Sequence, residues 1–484
     1  MKNKKLVKNY IYNMFYQVLL LIAPIVTTPY ISRILGVTNI GIFQFTKSVV
    51  GYFILVSTVG TTLYGQREIA YFQDDPKKRS EVFWEIEIFR IFTTFICSAI
   101  YVLLFCNSNT YSIIYRILCL EIVATAFDIS WLFMGMEDFR LTVIRNSLIK
   151  LTGIICVFVF VKDKNDLWVY TLCVTAPILL GNLSLWFSVK KYLVHTHLSL
   201  HIIIKGIKSR LKHIFILFIP QIATTIYLLL DKTMLGIISS SIDQVGFYSQ
   251  AQKIIQMVLT IVLSIGTVML PTMSALYAKG DRDAILRNVK AVFRFVFFLA
   301  FGLLFGLCAI APTFVPLFFG QGYTPVIILL IIISPVLVII STSNVIGKQY
   351  LLPTMQQKEF TISILFGAGV NFVMNIILIP FFDAIGASIA TIFAELMVTV
   401  IQCWTVRKQL PLKECFKPAI RYVICGTIMF LAIKGVERLF INNQIWGLVV
   451  MIITGIIVYV LGLFLSNDPI IKIIMSLLTL KEST

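Results

Sequence analysis

The chain has 484 residues, of which 58% are hydrophobic and only 13% charged, with a mean hydropathy of +0.91, against about 25% charged residues in soluble domains. This composition excludes a soluble globular domain. The net charge of +18 sits in short connections between apolar runs, where membrane topology explains it; without an extended basic patch or stacking platform, no nucleic-acid partner is expected.

The apolar runs are long enough for helices of about 20 residues to cross a ~30 Å hydrocarbon core, and strand alternation is absent, so the expected fold class is an all-α integral membrane protein. Fourteen spans are expected, at 10–34, 39–64, 82–106, 110–135, 142–161, 166–188, 213–237, 244–272, 287–310, 323–347, 359–381, 384–405, 416–436 and 443–465. The lysines before the first span resemble a signal-peptide n-region. However, the apolar run has no small-residue cleavage site and continues through Pro24 to Ile34, which reads as an uncleaved span.

Asn9, Asn13, Tyr16 and Gln17 put a polar stripe on one face of the first span, either a sugar-contacting wall or a set of interhelical hydrogen bonds. The second span carries Gln44 and Lys47, three residues apart on one face. An ionisable group deep in a span costs about 2.5–3.5 kcal/mol and normally faces protein or a wet cavity. For Lys47 the alternatives are a cavity, pairing with an acid, or snorkelling from within about two turns of the helix end. Arg33 lies at the outer end of the first span, where it is expected to help release an anion. Arg116, Glu121, Asp128, Arg145 and Lys150, in the fourth and fifth spans, include both signs and read mainly as buried pairing.

The connection from Val189 to His213 is long and basic and holds all four histidines. His195-x-His197-x3-His201 has a spacing that metals use, but solvated linker is the better reading, and no metal site is assigned. Beyond it, Asp231-Lys232, Asn371-x3-Asn375 and Thr391-x3-Glu395 place oxygen-bearing groups in the seventh, eleventh and twelfth spans. These are the candidates for a cation-coupling site, with polar packing as the alternative. The nine cysteines show no paired spacing and read as small packing residues.

The chain repeats itself. An offset of 206 (250 − 44) aligns Gln44 with Gln250, Lys47 with Lys253, Gly60-Thr61 with Gly266-Thr267, Tyr71 with Tyr277 and Asp75 with Asp281. With gaps, Pro24, Thr27-Thr28, Tyr30 and Leu35-Gly36 find echoes in Pro220, Thr224-Thr225, Tyr227 and Leu235-Gly236. Six spans separate the copies, so two six-helix lobes insert in the same sense, related by a pseudo-twofold axis along the membrane normal. The expected domains are 1–200, 201–410 and two additional helices in 411–484. Lys47 and Lys253 are expected to face each other across a central path. Cations recur in alternate connections, from Lys77-Lys78-Arg79 through Lys190-Lys191 to Arg407-Lys408, which places both termini in the cytoplasm.

The run Asn9-Tyr-Ile-Tyr-Asn13, then Pro24-Ile-Val-Thr-Thr-Pro-Tyr-Ile-Ser-Arg-Ile-Leu-Gly36, Gly41-Ile-Phe43 and Tyr64-Gly-Gln-Arg-Glu-Ile-Ala70 resembles the Wzx-type oligosaccharide flippases. These share a superfamily, MATE/MOP, with drug exporters and lipid II flippases. The resemblance implies a multi-pass protein of the bacterial plasma (inner) membrane. It would carry undecaprenyl-pyrophosphate-linked repeat units from the inner to the outer leaflet for capsule, exopolysaccharide or O-antigen assembly, by alternating access through a cationic cavity. The implied partners are that lipid-linked oligosaccharide, membrane lipid, and a polysaccharide polymerase with its chain-length machinery. No cofactor is implied, and the chain is not expected to be an enzyme. Substrate contacts are expected from Lys47, Lys253, Gln44, Gln250, Arg33, Asn13 and Gln17. By likeness to the lipid II flippase branch, a sodium site would use Asp231, Asn371, Asn375 and Thr391, although Asn375 replaces a carboxylate. Proton coupling through Asp231 or Glu395 is the alternative. The spans after Pro411 would line a slot for the polyprenyl tail.

Overall fold

Two residues in unusual backbone conformations interrupt the longest helices. The computed structural model describes the backbone of residues 2–107, 110–196, 200–439 and 444–471; within these, the side chains of 2–15, 17, 200–202, 220, 223, 265, 267 and 268 are left aside. Helix α1 (Lys2–Thr58) is broken at Gly36, where φ is 74° and ψ 173°. A glycine takes this left-handed φ without a Cβ penalty. The leg after the break, residues 37–58, is about 33 Å long at 1.5 Å per residue, enough for one crossing.

Val59 and Gly60, with φ of 42° and 72°, turn the chain into α2 (Thr61–Tyr71). Helix α3 (Pro76–Phe105) starts on an Asp75 cap whose carboxylate accepts from the Lys78 amide, with Pro76 in the first turn, where no amide hydrogen is needed. Then follow α4 (Ser112–Ala126), α5 (Ser130–Gly135), α6 (Phe139–Phe160), α7 (Leu167–Leu185) and α8 (Leu200–Ile238). The first compact unit is Met1–Gly236. Phe83, Trp131, Leu132, Phe133, Ile214 and Phe218 form part of one of its buried clusters, and the Phe83 and Trp131 rings stack at 5.3 Å. A Cβ on Gly65 would fall 2.5 Å from the Trp131 ring. Gly65→Ala should therefore cost about 1–3 kcal/mol through overpacking. Thermal unfolding in detergent would show a lowered midpoint, whereas an unchanged midpoint would refute the close contact.

The second unit, Ile237–Thr484, contains α9 (Asp243–Ala278), α10 (Arg282–Phe319), α11 (Thr324–Ile333), α12 (Val336–Ile346), α13 (Gln357–Val406), α14 (Leu412–Phe416), α15 (Ala419–Glu437) and α16 (Gln444–Leu465). Helix α13 is broken at Asp383, a non-glycine residue with φ 47°. Its carboxylate accepts from the Ser240 amide and hydroxyl, each at 2.9 Å, and these bonds help hold a conformation that few residues adopt.

Among the described residues, ten helices are long and apolar enough to cross a membrane, or up to twelve if two bent pairs each count as one span. The chain is therefore a multi-pass helical membrane protein, with no strand among its described residues. The expected fourteen spans exceed this count. The difference arises where helices run on without a loop, since the segments Val18–Tyr71 and Gln357–Val406 count once each although each is broken internally. The compact units divide after Gly236, and α8 is fastened to the first of them by side-chain bonds; the division expected at 200/201 follows the sequence repeat. Arg210 bonds Glu85 at 2.7 Å and Glu68 at 2.8 Å, and Thr233 bonds Ser48 at 2.9 Å. The helices expected as additional after 411 pack within the second unit. Met429, Ile433 and Tyr459 belong to the same buried cluster as Phe293 and Phe297.

Candidate functional site

The first unit carries charges in the middle of its helices. Lys47 lies eleven residues from both Gly36 and Thr58, and Lys150 lies eleven from the start and ten from the end of α6. Each is thus about 15 Å from a helix end, further than a four-carbon stem reaches. Snorkelling from near an end, expected as one option for Lys47, does not fit this placement.

Lys47 Nζ donates to Glu121 Oε1 at 2.9 Å, with the lysine side chain 36% exposed and the glutamate 7%. Lys150 has no hydrogen bond or ion pair among the described residues, yet it stands within electrostatic range of Lys47. Lys232 comes from α8, donates to Gln44 Oε1 at 3.4 Å and also feels the charge of Lys47. Three ammonium groups from three helices therefore share one neighbourhood. The acids there, Glu121 and Asp231, leave one charge uncompensated. Mid-span cations are costly unless something neutralises them.

Arg145, on α6 but on a different face from Lys150, is 10% exposed and lies 3.5 Å from Asp128. Its Nη1 also donates to Asn182 Oδ1, whose amide in turn bonds the Ala124 carbonyl at 2.7 Å. The pairing expected in the fourth and fifth spans thus holds for Glu121, Asp128 and Arg145. Arg116 bonds the Cys106 carbonyl instead, at 2.9 Å, and Lys150 is the exception without an acid among the described residues.

Of the other expected substrate contacts, Asn13 and Gln17 fall outside the described side chains, as does Asn9. Tyr16 beside them lies within electrostatic range of Arg145. Arg33 is exposed. Gln250 is buried and Lys253 half-buried on α9, in the second unit; the role expected for Lys253 rests on the sequence repeat. The expected coupling residues are divided: Asp231 is buried in the first unit, and the rest belong to the second. Asn375 Nδ2 donates to Asn371 Oδ1 at 3.2 Å, and both side chains are fully buried. Thr391 Oγ1 lies 3.0 Å from the Tyr248 hydroxyl and donates to the Ala387 carbonyl at 2.9 Å; Glu395 is half-buried one turn on. His197 and His201 fall outside the described side chains, and no metal-holding group occurs among the described residues.

Sequence reasoning passed over two charges in α3. Glu87 and Arg90 are almost wholly inaccessible. Arg90 Nη1 donates to the Asp128 carbonyl at 2.8 Å, while neither Glu87 oxygen has a hydrogen-bond partner. An acid and a base three residues apart inside an apolar run were the available signal.

The fold of these long membrane helices is one that a lipid flippase and multidrug exporters share. One solved structure, "Lipid II flippase MurJ, inward closed conformation", superposes with a TM-score of 0.73 over 96% of this chain and 100% of that one, at 17% identity. An inward-facing MATE family transporter of the MOP superfamily gives 0.57 over 80% and 98%, at 11% identity. Residues 6–277 match the family described as "Polysaccharide biosynthesis protein", and the chain belongs to that family. Two relatives carry the name "Putative O-antigen transporter". The one from Escherichia coli (strain K12) is 29% identical over 79% of this chain and 92% of its own length, and the one from Shigella dysenteriae 23% identical over 79% and 96%.

Proposed function

We propose that this protein is a flippase for undecaprenyl-pyrophosphate-linked oligosaccharide repeat units in a bacterial plasma membrane. The observation that carries the reading is the Lys47, Lys150 and Lys232 neighbourhood, with Lys150 unpaired among the described residues at the midpoint of its helix. A sugar hydroxyl buried without a partner costs about 2–7 kcal/mol and a phosphate charge far more, so moving such a headgroup requires polar groups and cations at mid-depth. The relatives named for O-antigen transport supply the substrate class, and the expected polymerase would act on the product. The reading is of a transporter and not an enzyme, since the acids at the site serve lysine and arginine partners. In cells lacking the protein, the lipid-linked repeat unit should accumulate in the inner leaflet and surface polymer should disappear, with both restored by the wild-type gene. Undiminished surface polymer in such cells would refute the reading.

Both termini are proposed to be cytoplasmic, on the distribution of lysine and arginine among connections. A cysteine placed at Asp75 should resist an impermeant thiol reagent added outside intact cells, and rapid labelling there would reverse the orientation. For energy coupling we favour a cation acting through Asp231, either sodium or a proton. Asp231→Asn should make transport insensitive to an imposed sodium or pH gradient. Full gradient dependence in that variant would leave Asp231 as a packing group.

A further inference from the structure

We propose that the groove between α6 and α7 in the first unit binds the isoprenoid tail of the lipid-linked substrate, with Arg145 holding the first phosphate at one end; the inference rests on the flippase reading. The groove encloses about 730 Å³ and is lined almost entirely by apolar side chains, from Arg145 and Ser184 at one end to Phe160 and Trp168 at the other. The fifteen helical steps of α6 from Arg145 to Phe160 give it a length of about 22 Å, most of the depth of a hydrocarbon core. At Gly181 an added Cβ would fall 2.2 Å from Ile149, which shows how closely the two helices approach there.

What separates this groove from an ordinary lipid-facing furrow is the cation at its end. Arg145 is nine-tenths buried, its Nη1 is engaged by Asp128 and Asn182, and its Nε is buried without a hydrogen-bond partner. A guanidinium with a spare donor suits a phosphate oxygen, since such bonds are directional and charge-assisted. On the same helix Lys150 faces the ammonium cluster, so one element would present the tail to lipid on one side and the pyrophosphate to cations on the other. A second apolar groove, between α10, α15 and α16 and lined in part by Gly302, Gly455, Ile456 and Tyr459, encloses about 380 Å³ and has no charged residue in its wall. It lies partly on the helices after Pro411, where the resemblance implies a slot, but it offers no anchor for a phosphate.

The test uses the full chain in lipid nanodiscs and a polyprenyl pyrophosphate with a diazirine on its second isoprene unit. The uncharged polyprenol and a diazirine phosphatidylglycerol serve as controls, and adducts are mapped by peptide mass spectrometry. Adducts are expected on Leu148, Thr152 and Ala176. They should fall about tenfold with the polyprenol, with Arg145→Gln, and with Ala176→Trp, which fills the groove and leaves the Arg145–Asp128 contact intact. Equal labelling by the phosphatidylglycerol, or labelling that neither variant reduces, would overturn the proposal. Adducts confined to Ile456 and its neighbours would overturn it too while leaving the flippase reading in place. No adduct above background anywhere would count against both.

Discussion

Lys150→Met should abolish transport while leaving the protein at least as stable as the wild type. An unpaired ammonium in mid-span costs about 2.5–3.5 kcal/mol, and Lys150 has no acid among the described residues to offset that cost, so an apolar side chain of similar length relieves the fold. Function moves the other way. A phosphate charge about 4 Å away contributes roughly 4 kcal/mol at an effective dielectric of 20, or about a thousandfold in headgroup affinity. Surface polymer should fall at least tenfold, and thermal unfolding in detergent should rise or stay level. Glu121→Gln is the contrasting variant. It frees Lys47 from its 2.9 Å partner and should weaken folding modestly, since Lys47 is more than a third exposed and solvent screens the pair. A Lys150→Met protein that unfolds earlier would show the lysine to be structural.

Arg90→Met should be the most damaging change to the fold. The side chain is 1% exposed and donates to the Asp128 carbonyl at 2.8 Å. Its charge also lies beside Glu87, whose carboxyl has no hydrogen bond. Removing one charge from a buried neighbourhood typically costs about 3–5 kcal/mol, whereas replacing both charges by apolar groups is often nearly neutral. Arg90→Met alone should therefore fail to accumulate as a monodisperse peak in size-exclusion chromatography, and Glu87→Leu in the same chain should recover most of it. Additive losses in the double variant would mean that the two residues act independently.

The helical membrane fold was legible because burial in lipid forces long apolar runs, and the polysaccharide family because its opening motif stands in the first span. Helix joins were harder. Gly36 and Asp383 break helices without a loop, and hydropathy does not register a change of φ at one residue. The compact units follow side-chain bonds, which the sequence repeat does not record. The sequence repeat assigns Asp231 and Lys232 to a second half, but side-chain bonds through Arg210, Lys232 and Thr233 attach α8 to the first. At the site, Lys47 stood out through its repeat with Lys253. The Lys47–Glu121 pair spans 74 positions and Arg145–Asn182 spans 37, so which charges were compensated, and that Lys150 was not, depended on tertiary packing. The sequence showed charges of both signs in these spans but not which of them meet.

The most direct measurement is flipping of a fluorescent polyprenyl-pyrophosphate oligosaccharide by purified protein in liposomes, read as the fraction of label reached by an impermeant quencher. Wild-type protein should expose label from both leaflets within the assay. The Lys150→Met protein, equally folded and equally reconstituted, should leave the inner-leaflet fraction protected, as protein-free liposomes do. Flipping by Lys150→Met at the wild-type rate would contradict the cationic mid-span site.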